Sequence, residues 1–187
     1  MEAMSVTQRV TAREYLAWDG PRGTNLVEGE VVVGEPRPLH QEVLFRIAMP
    51  LRLWTLAASG RGHATLPIDV LLDDGNVYAP DVLWYSEQRR IVDSLARPQA
   101  LPDLAVEVRS PSTWRYDVGA KKSAYERHGL PELWLVDTAA DEVLVFRRST
   151  PSVPIFDVAE ELARGDALTS PLLPRFALAL HELFPPD

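Results

Sequence analysis

Leu104-Ala-Val-Glu107-Val-Arg109-Ser-Pro-Ser-Thr113, then a helix-forming segment over 116–128, then Glu132-Leu-Trp-Leu-Val-Asp137: this stretch decides the fold. Its first part alternates, with Leu104, Val106 and Val108 on one strand face and Ala105, Glu107 and Arg109 on the other. Ser110–Thr113 reads as a turn, and Gly129 as the stop of the helix. Glu132–Asp137 and Glu142–Arg147 read as two further strands, joined as a hairpin.

Working upstream, Thr11-Ala-Arg-Glu14 forms a capping box that opens a helix through Trp18, ended by Asp19-Gly-Pro-Arg-Gly23. Leu26–Glu28 and Glu30–Val33 flank Gly29 as a tight hairpin. His40 to Ala58 carries Val43, Leu44, Ile47, Leu51 and Trp54 at helical spacing, and Pro50 predicts a kink or interruption within it. Leu66–Leu72, Asn76–Tyr78 and Asp81–Tyr85 read as strands, with a turn between the first two. The polar stretch 86–102 suits a short helix and a loop. Phe176–Leu180 and a short His181–Phe184 segment close the chain. Long helix, strands, helix, strands: the pattern predicts one α/β (α+β) domain over residues 1–187, with a mixed sheet flanked by helices.

The composition narrows the function. The 187 residues include 27 Asp or Glu against 19 Lys or Arg, a net charge of −8, which disfavours a general nucleic-acid coat protein. With no Cys there is no disulfide framework, thiolate zinc site or cysteine nucleophile. No run is long and apolar enough for a membrane span and the N-terminus lacks a secretory pattern, so the expected location is the cytoplasm. All but two of the basic residues are Arg; the two lysines are the neighbours Lys121 and Lys122. In a chain that otherwise uses Arg as its cation, this pair points to a chemical role for a compact ammonium.

Three acidic residues sit within or beside apolar strands: Glu107, Asp81 directly after Pro80, and Glu28 between Val27 and Gly29. Singly, each has an ordinary reading, Glu107 as a surface ion pair with Arg109 and Asp81 as a turn residue. Together, two carboxylates from neighbouring strands and a third suit a hard divalent cation with oxygen ligands. A helix starting near Tyr116 tilts Lys121 back toward the end of the Glu107 strand. Against this stands the i,i+4 spacing of Asp117–Lys121 and Lys122–Glu126, a common surface arrangement worth about 0.2–0.5 kcal/mol per pair.

Pro80-Asp81-Val-Leu, Pro102-Asp-Leu-Ala-Val-Glu107-Val-Arg-Ser-Pro-Ser-Thr113, Arg115-Tyr-Asp117-Val-Gly119-Ala-Lys121 with Tyr125, and Gly129-Leu-Pro-Glu132-Leu-Trp134-Leu-Val-Asp137 resemble the Uma-two endonuclease family of the PD-(D/E)XK restriction-endonuclease-like superfamily. The likeness extends to Thr11–Tyr15, Leu26–Glu30, His40-Gln41, Pro67–Val70 and Leu180–Phe184, nearly the whole chain. It implies a restriction-endonuclease-like core, with Asp81 and Glu107 as metal-binding acids and the Val108 carbonyl as a third oxygen. The superfamily's commonest pattern puts a Lys two residues after the Glu, where this chain has Arg109. The resemblance instead implies Lys121, on the next helix, in that role, and Glu28 as the N-terminal acidic residue. Arg109 is then open to either a phosphate contact or packing.

The resulting expectation is an endonuclease hydrolysing phosphodiester bonds of DNA with Mg²⁺ or Mn²⁺. Asp81, Glu107 and Val108 hold the ion, Lys121 orients water or stabilises developing charge, and Glu28 anchors a second metal or a water. His40 is a candidate for proton transfer or phosphate binding, and Arg115, Lys122 and Arg127 for phosphate contacts. Trp114 is a candidate for base stacking. A homodimer would supply two sites for the two strands. Two alternatives stand beside it: a catalytically inactive nucleic-acid- or protein-binding module of the same fold, and a metal-independent hydrolase with Asp81 and Glu107 as acid and base.

Overall fold

The computed structural model describes residues 9–20 and 23–184. Pro21 and Arg22 of the expected Asp19–Gly23 helix stop lie outside the described residues, as does segment 1–8, where a secretory leader would begin. Helix α1 (Ala12–Ala17) opens on the capping box: Thr11 Oγ1 accepts from Glu14 N at 3.3 Å, and Thr11 N donates to the Glu14 carboxylate at 2.8 Å. Strands β1 (Thr24–Val27) and β2 (Glu30–Val33) form the hairpin around Gly29.

Helix α2 (Pro38–Leu56) runs unbroken through Pro50. A prolyl ring in a helix interior costs about 3 kcal/mol, but Val43, Leu44, Ile47 and Leu51 are buried against the main sheet. Tertiary packing therefore carries the helix across its one missing donor, and of the expected kink or interruption the interruption does not occur.

The strand expected over 66–72 is instead two. Strand β3 (His63–Thr65) and strand β4 (Val70–Asp73) are separated by residues 66–69 and belong to different sheets. Pro67 lacks a ladder donor and restricts Leu66, so the chain leaves one sheet and enters the other there. Strands β5 (Asn76–Tyr78), β6 (Val82–Tyr85) and β7 (Leu104–Val108) follow, with one short 3₁₀ turn, Glu87–Arg89, before the loop that leads to β7.

The helix after β7 has three parts: α3 (Trp114–Tyr116), a π-helical turn over Asp117–Lys121, and α4 (Lys122–Arg127). Strands β8 (Glu132–Asp137) and β9 (Glu142–Arg147) pair as the expected hairpin. Strand β10 (Val158–Ala163), absent from the sequence reading, pairs with β9 along its whole length. Its two central glutamates, Glu160 and Glu161, are exposed, which blurs its apolar pattern. Strands β11 (Ala167–Leu168) and β12 (Leu178–Ala179) and helix α5 (Leu180–Leu183) complete the order.

The main sheet runs β10-β9-β8-β7-β6-β3 and is mixed, since β7 and β8 are parallel and every other neighbour is antiparallel. A second sheet, β2-β1-β5-β4, carries the N-terminal hairpin. Alternation along β7 divides the core as expected. Val106 and Val108 pack with α2 and the C-terminal segment, whereas Ala105 faces Ala124 and Tyr125 of α4 together with Val27 and Tyr78 of the second sheet. Glu107 lies on that second face, where β7 ends between the two layers.

Candidate active site

The ends of β6 and β7 meet beside the π turn. Register pairs Val82 with Val106, so Asp81 and Glu107 are one residue beyond that pair on adjacent strands. Pro80 has no N–H, and the Asp81 carboxylate closes the ladder by accepting from Val108 N at 2.7 Å. The same oxygen lies 3.2 Å from His40 Nε2, on the first turn of α2. Across the cleft, Lys121 Nζ is 2.7 Å from Glu107 Oε1 and 2.9 Å from Asp117 Oδ1. Tyr125 donates its hydroxyl to the same Glu107 oxygen at 2.7 Å. A π turn has more residues per turn than an α-helix, which brings positions i and i+4 closer to eclipsed and aims Asp117 and Lys121 at one point. Thr113 Oγ1 donates to the other Asp117 oxygen at 3.1 Å, and Ser110 Oγ lies 2.9 Å from Thr113 Oγ1. The turn after β7 is thereby tied to the helix that follows it.

These groups open on a cleft of about 300 Å³ whose walls include Asn25, His40, Asp81, Glu107, Asp117 and Lys121. Glu107, Asp117 and Lys121 are at most 4% exposed, so the Asp117–Lys121 pair is no surface ornament. Burial works against the Lys121 ammonium, but Asp117 and Glu107 outweigh it and raise its pKa. For Glu107 burial raises the pKa, and Asp117 and Asp81 add to the rise while Lys121 opposes it. An ammonium at 2.7 Å decides for the carboxylate, since separated buried charges cost far more than a paired one. Burial also lowers the His40 pKa, but its Asp81 hydrogen bond and the Asp81 and Asp117 charges turn the net shift upward.

Three carboxylates thus face one ammonium, with His40 contributing only when protonated. Such a site lacks positive charge. Among the described residues, Glu107 Oε2 and Asp81 Oδ1 accept no hydrogen bond, because the other oxygen of each group carries its bonds. Two available hard oxygens in an electronegative cleft fit a divalent cation. No group of three His, Cys, Asp or Glu side chains among the described residues has metal-ligating geometry. Such an ion would keep much of its own water, as Mg²⁺ does.

Residues 12–181 match the model of the Uma2 family, described as "Putative restriction endonuclease". The chain belongs to the Uma2 family. A crystal structure of a "putative nuclease belonging to DUF820" from Anabaena variabilis superposes with a TM-score of 0.77. That pair is 17% identical, and the match covers 94% of this chain and 97% of the other, so the fold is shared across almost the whole length. No curated protein matches the sequence. For this Uma2 chain no described helix is long and apolar enough to cross a membrane.

Within the Uma2 chain, the cleft gathers five of the residues singled out from sequence: His40, Asp81, Glu107, Val108 and Lys121. It does not gather Glu28. That residue is exposed at the hairpin turn with φ +50°, and its N–H donates to Asn76 Oδ1 at 3.0 Å. Its backbone conformation serves the turn and keeps its side chain off the cleft wall. Arg109 holds Asp137 at 2.9 Å rather than Glu107, and its guanidinium stacks 5.4 Å from the Trp114 ring, which occupies both side chains. Arg115 donates to the Tyr116 hydroxyl at 2.8 Å. Lys122 sits 4.4 Å from the Phe146 ring, while Glu126, its expected partner, accepts from Phe156 N.

Sequence reasoning gave no site role to Asn25, Tyr125, Ser110 or Thr113. Asn25 lines the cleft and accepts from Ala79 N at 2.8 Å. A polar amide alternating with Thr24 and Leu26 on a short strand was the available signal for it.

Proposed function

We propose that this Uma2 chain is a metal-dependent nuclease that hydrolyses phosphodiester bonds of DNA, working in the cytoplasm as one domain over residues 1–187. The observation that carries the reading is the buried Glu107–Lys121–Asp117 cluster, one positive charge short and opening on a cleft beside Asp81.

Asp81, Glu107 and the Val108 carbonyl would hold Mg²⁺ or Mn²⁺. The ion, when bound, supplies Lewis-acid polarisation of the scissile phosphate and acidifies a water. Lys121 does two things: it fixes the Glu107 carboxylate through its 2.7 Å contact, and it offers positive charge to the oxygens that become more negative in the transition state. Asp117 keeps that ammonium charged and aimed. Tyr125 locks the carboxylate from the other side. His40 holds Asp81, and its upward-shifted pKa favours a protonated ring beside the phosphate. Water oxygen bonds to phosphorus, one P–O ester bond breaks, and the products are a phosphomonoester and a hydroxyl. Cutting both strands of a duplex calls for two such sites, hence a homodimer.

The test uses plasmid and single-stranded DNA with Mg²⁺, Mn²⁺ or EDTA. Cleavage should require the ion and should fall by roughly 10²-fold or more in Glu107→Ala and Lys121→Ala, with circular dichroism confirming that each variant is folded. Cleavage that persists in EDTA or in Glu107→Ala rejects the mechanism. Calorimetry with Mn²⁺ separates the inactive module, which would release no binding heat.

A further inference from the structure

Helix α2 is apolar on two faces. Val43, Leu44, Ile47 and Leu51 face the core, but Phe45, Met49, Leu53 and Leu56 form a second stripe that is 52–65% exposed. These four follow one another at intervals of four, four and three residues, one continuous line along the helix. Among the described residues nothing packs over it. Beside the stripe runs a groove of about 510 Å³, floored by Ala48 and Ala64 and walled on the far side by Thr65 and Leu66, at β3. Strand β3 is the edge of the main sheet, bonded to β6 alone.

We infer that this face binds a second copy of the chain around a two-fold axis. Three observations choose this occupant. The first is area. Four helical side chains and Leu66, each about half exposed, leave on the order of 500 Å² of contiguous apolar surface, at the upper end of what a monomer shows. Two such faces together approach the roughly 1,200 Å² at which specific interfaces begin, before any polar rim is added. The second is shape. A ridge and a parallel groove on one surface are self-complementary, since a two-fold axis seats each ridge in the partner's groove. The third is length. From Phe45 to Leu56 the stripe spans about 16 Å, more than a single splayed nucleotide would cover. Glu42 closes its N-terminal end, in line with Phe45 and Met49, the charged residues Arg46 and Arg52 flank it, and Arg52 Nη1 lies 3.0 Å from His63 Nδ1.

The placement has a consequence that rests on the nuclease reading. Phe45 and Leu66 wall both this groove and the cleft that holds Asp81 and Glu107. The interface would therefore border both clefts, and the pair would offer two cleavage sites along one face.

Mass is measured by light scattering or sedimentation at micromolar concentrations, without metal or DNA, so the result is independent of whether the protein cuts. The wild type should weigh twice the 20.9 kDa chain. The double variant Met49→Glu/Leu53→Glu should weigh one chain while keeping its circular dichroism, because exposed helix positions tolerate such changes within about 0.5 kcal/mol. The absence of Cys allows a further readout. Met49→Cys should be joined to its partner copy by a short bis-maleimide, and Glu161→Cys, on the exposed face of β10, should not. A wild type that stays monomeric overturns the inference, and so does a dimer that survives the double Glu substitution. A monomer whose single-stranded DNA affinity drops with Met49→Glu also overturns it, by assigning the stripe to substrate.

Discussion

Glu107 and Glu132 are buried carboxylates at opposite ends of adjacent parallel strands, and they differ in what compensates them. Glu107 faces an ammonium. Glu132 is held by neutral donors, Trp134 Nε1 at 2.6 Å and Ser170 Oγ at 2.7 Å. Burial raises the Glu132 pKa more than those bonds lower it. The folded protein therefore holds this proton more tightly than the unfolded chain does. The resulting stabilisation is complete below the ordinary carboxyl value and is lost as pH rises from there through the folded value. Glu132→Gln keeps an acceptor for Trp134 and a donor for Ser170 without the charge. Its melting temperature relative to wild type should accordingly rise between pH 4 and pH 8 by a few degrees, at roughly 2–4 °C per kcal/mol. A difference that does not change with pH would show that Glu132 is not the group responsible. The alternation of Leu104–Arg109 was enough to put Glu107 opposite the α2 face. That it meets Lys121 rather than Arg109 follows from Asp137, which takes the Arg109 guanidinium and lies 28 residues further along the chain.

At the scale of the element, the π turn separates two kinds of glycine. Gly119 lies within it, and a methyl group there would meet nothing within 4 Å. Gly119→Ala should stabilise the fold by about 0.5–1 kcal/mol through loss of unfolded-state entropy, read as a higher melting temperature, with the site geometry kept. Gly29 has φ +79°, and an added Cβ would stand 2.9 Å from Arg9 Cβ. Gly29→Ala should cost at least about 1 kcal/mol by chemical denaturation. Equal effects at the two positions would contradict both assignments. The capping box, the β1–β2 hairpin and the strand–helix–strand run from Leu104 to Asp137 were legible because local hydrogen bonding and periodicity specify them. The π turn was not, since one extra residue in a single turn leaves no mark on an apolar pattern. Strand β10 was hidden for a different reason: a solvent-facing edge strand can be acidic and still pair.

For the whole molecule, charge is the informative property. Segment 109–128 carries five Lys or Arg against two acids, net +3, within a chain of net charge −8. The fold uses most of those cations internally: Arg109 on Asp137, Lys121 on Glu107 and Asp117, and Lys122 over Phe146. Around the cleft itself the basic side chains are Lys121 and His40. DNA affinity should therefore respond weakly to salt. A plot of log K against log salt should have a slope near −2 per chain, about −0.9 for each phosphate neutralised, measured by fluorescence anisotropy with Glu107→Ala. A slope of −6 or steeper would mean that a broad basic surface lies outside this cleft.

The sequence by itself determined the elements whose causes are local: the capping box, the hairpin, the alternating β7 and the helix behind it. It also marked Lys121, because two lysines among seventeen arginines is a compositional fact that needs no coordinates. Only the tertiary structure decided which carboxylates meet. Asp81 and Glu107 come together through the β6–β7 register, across 26 positions of sequence, and Glu28 departs because its backbone is spent on a turn. Burial decided the rest. An i,i+4 acid–base pair looks the same in sequence whether it lies in water or in a cleft, and only the packing of β7, α4 and the second sheet around it makes its charges strong.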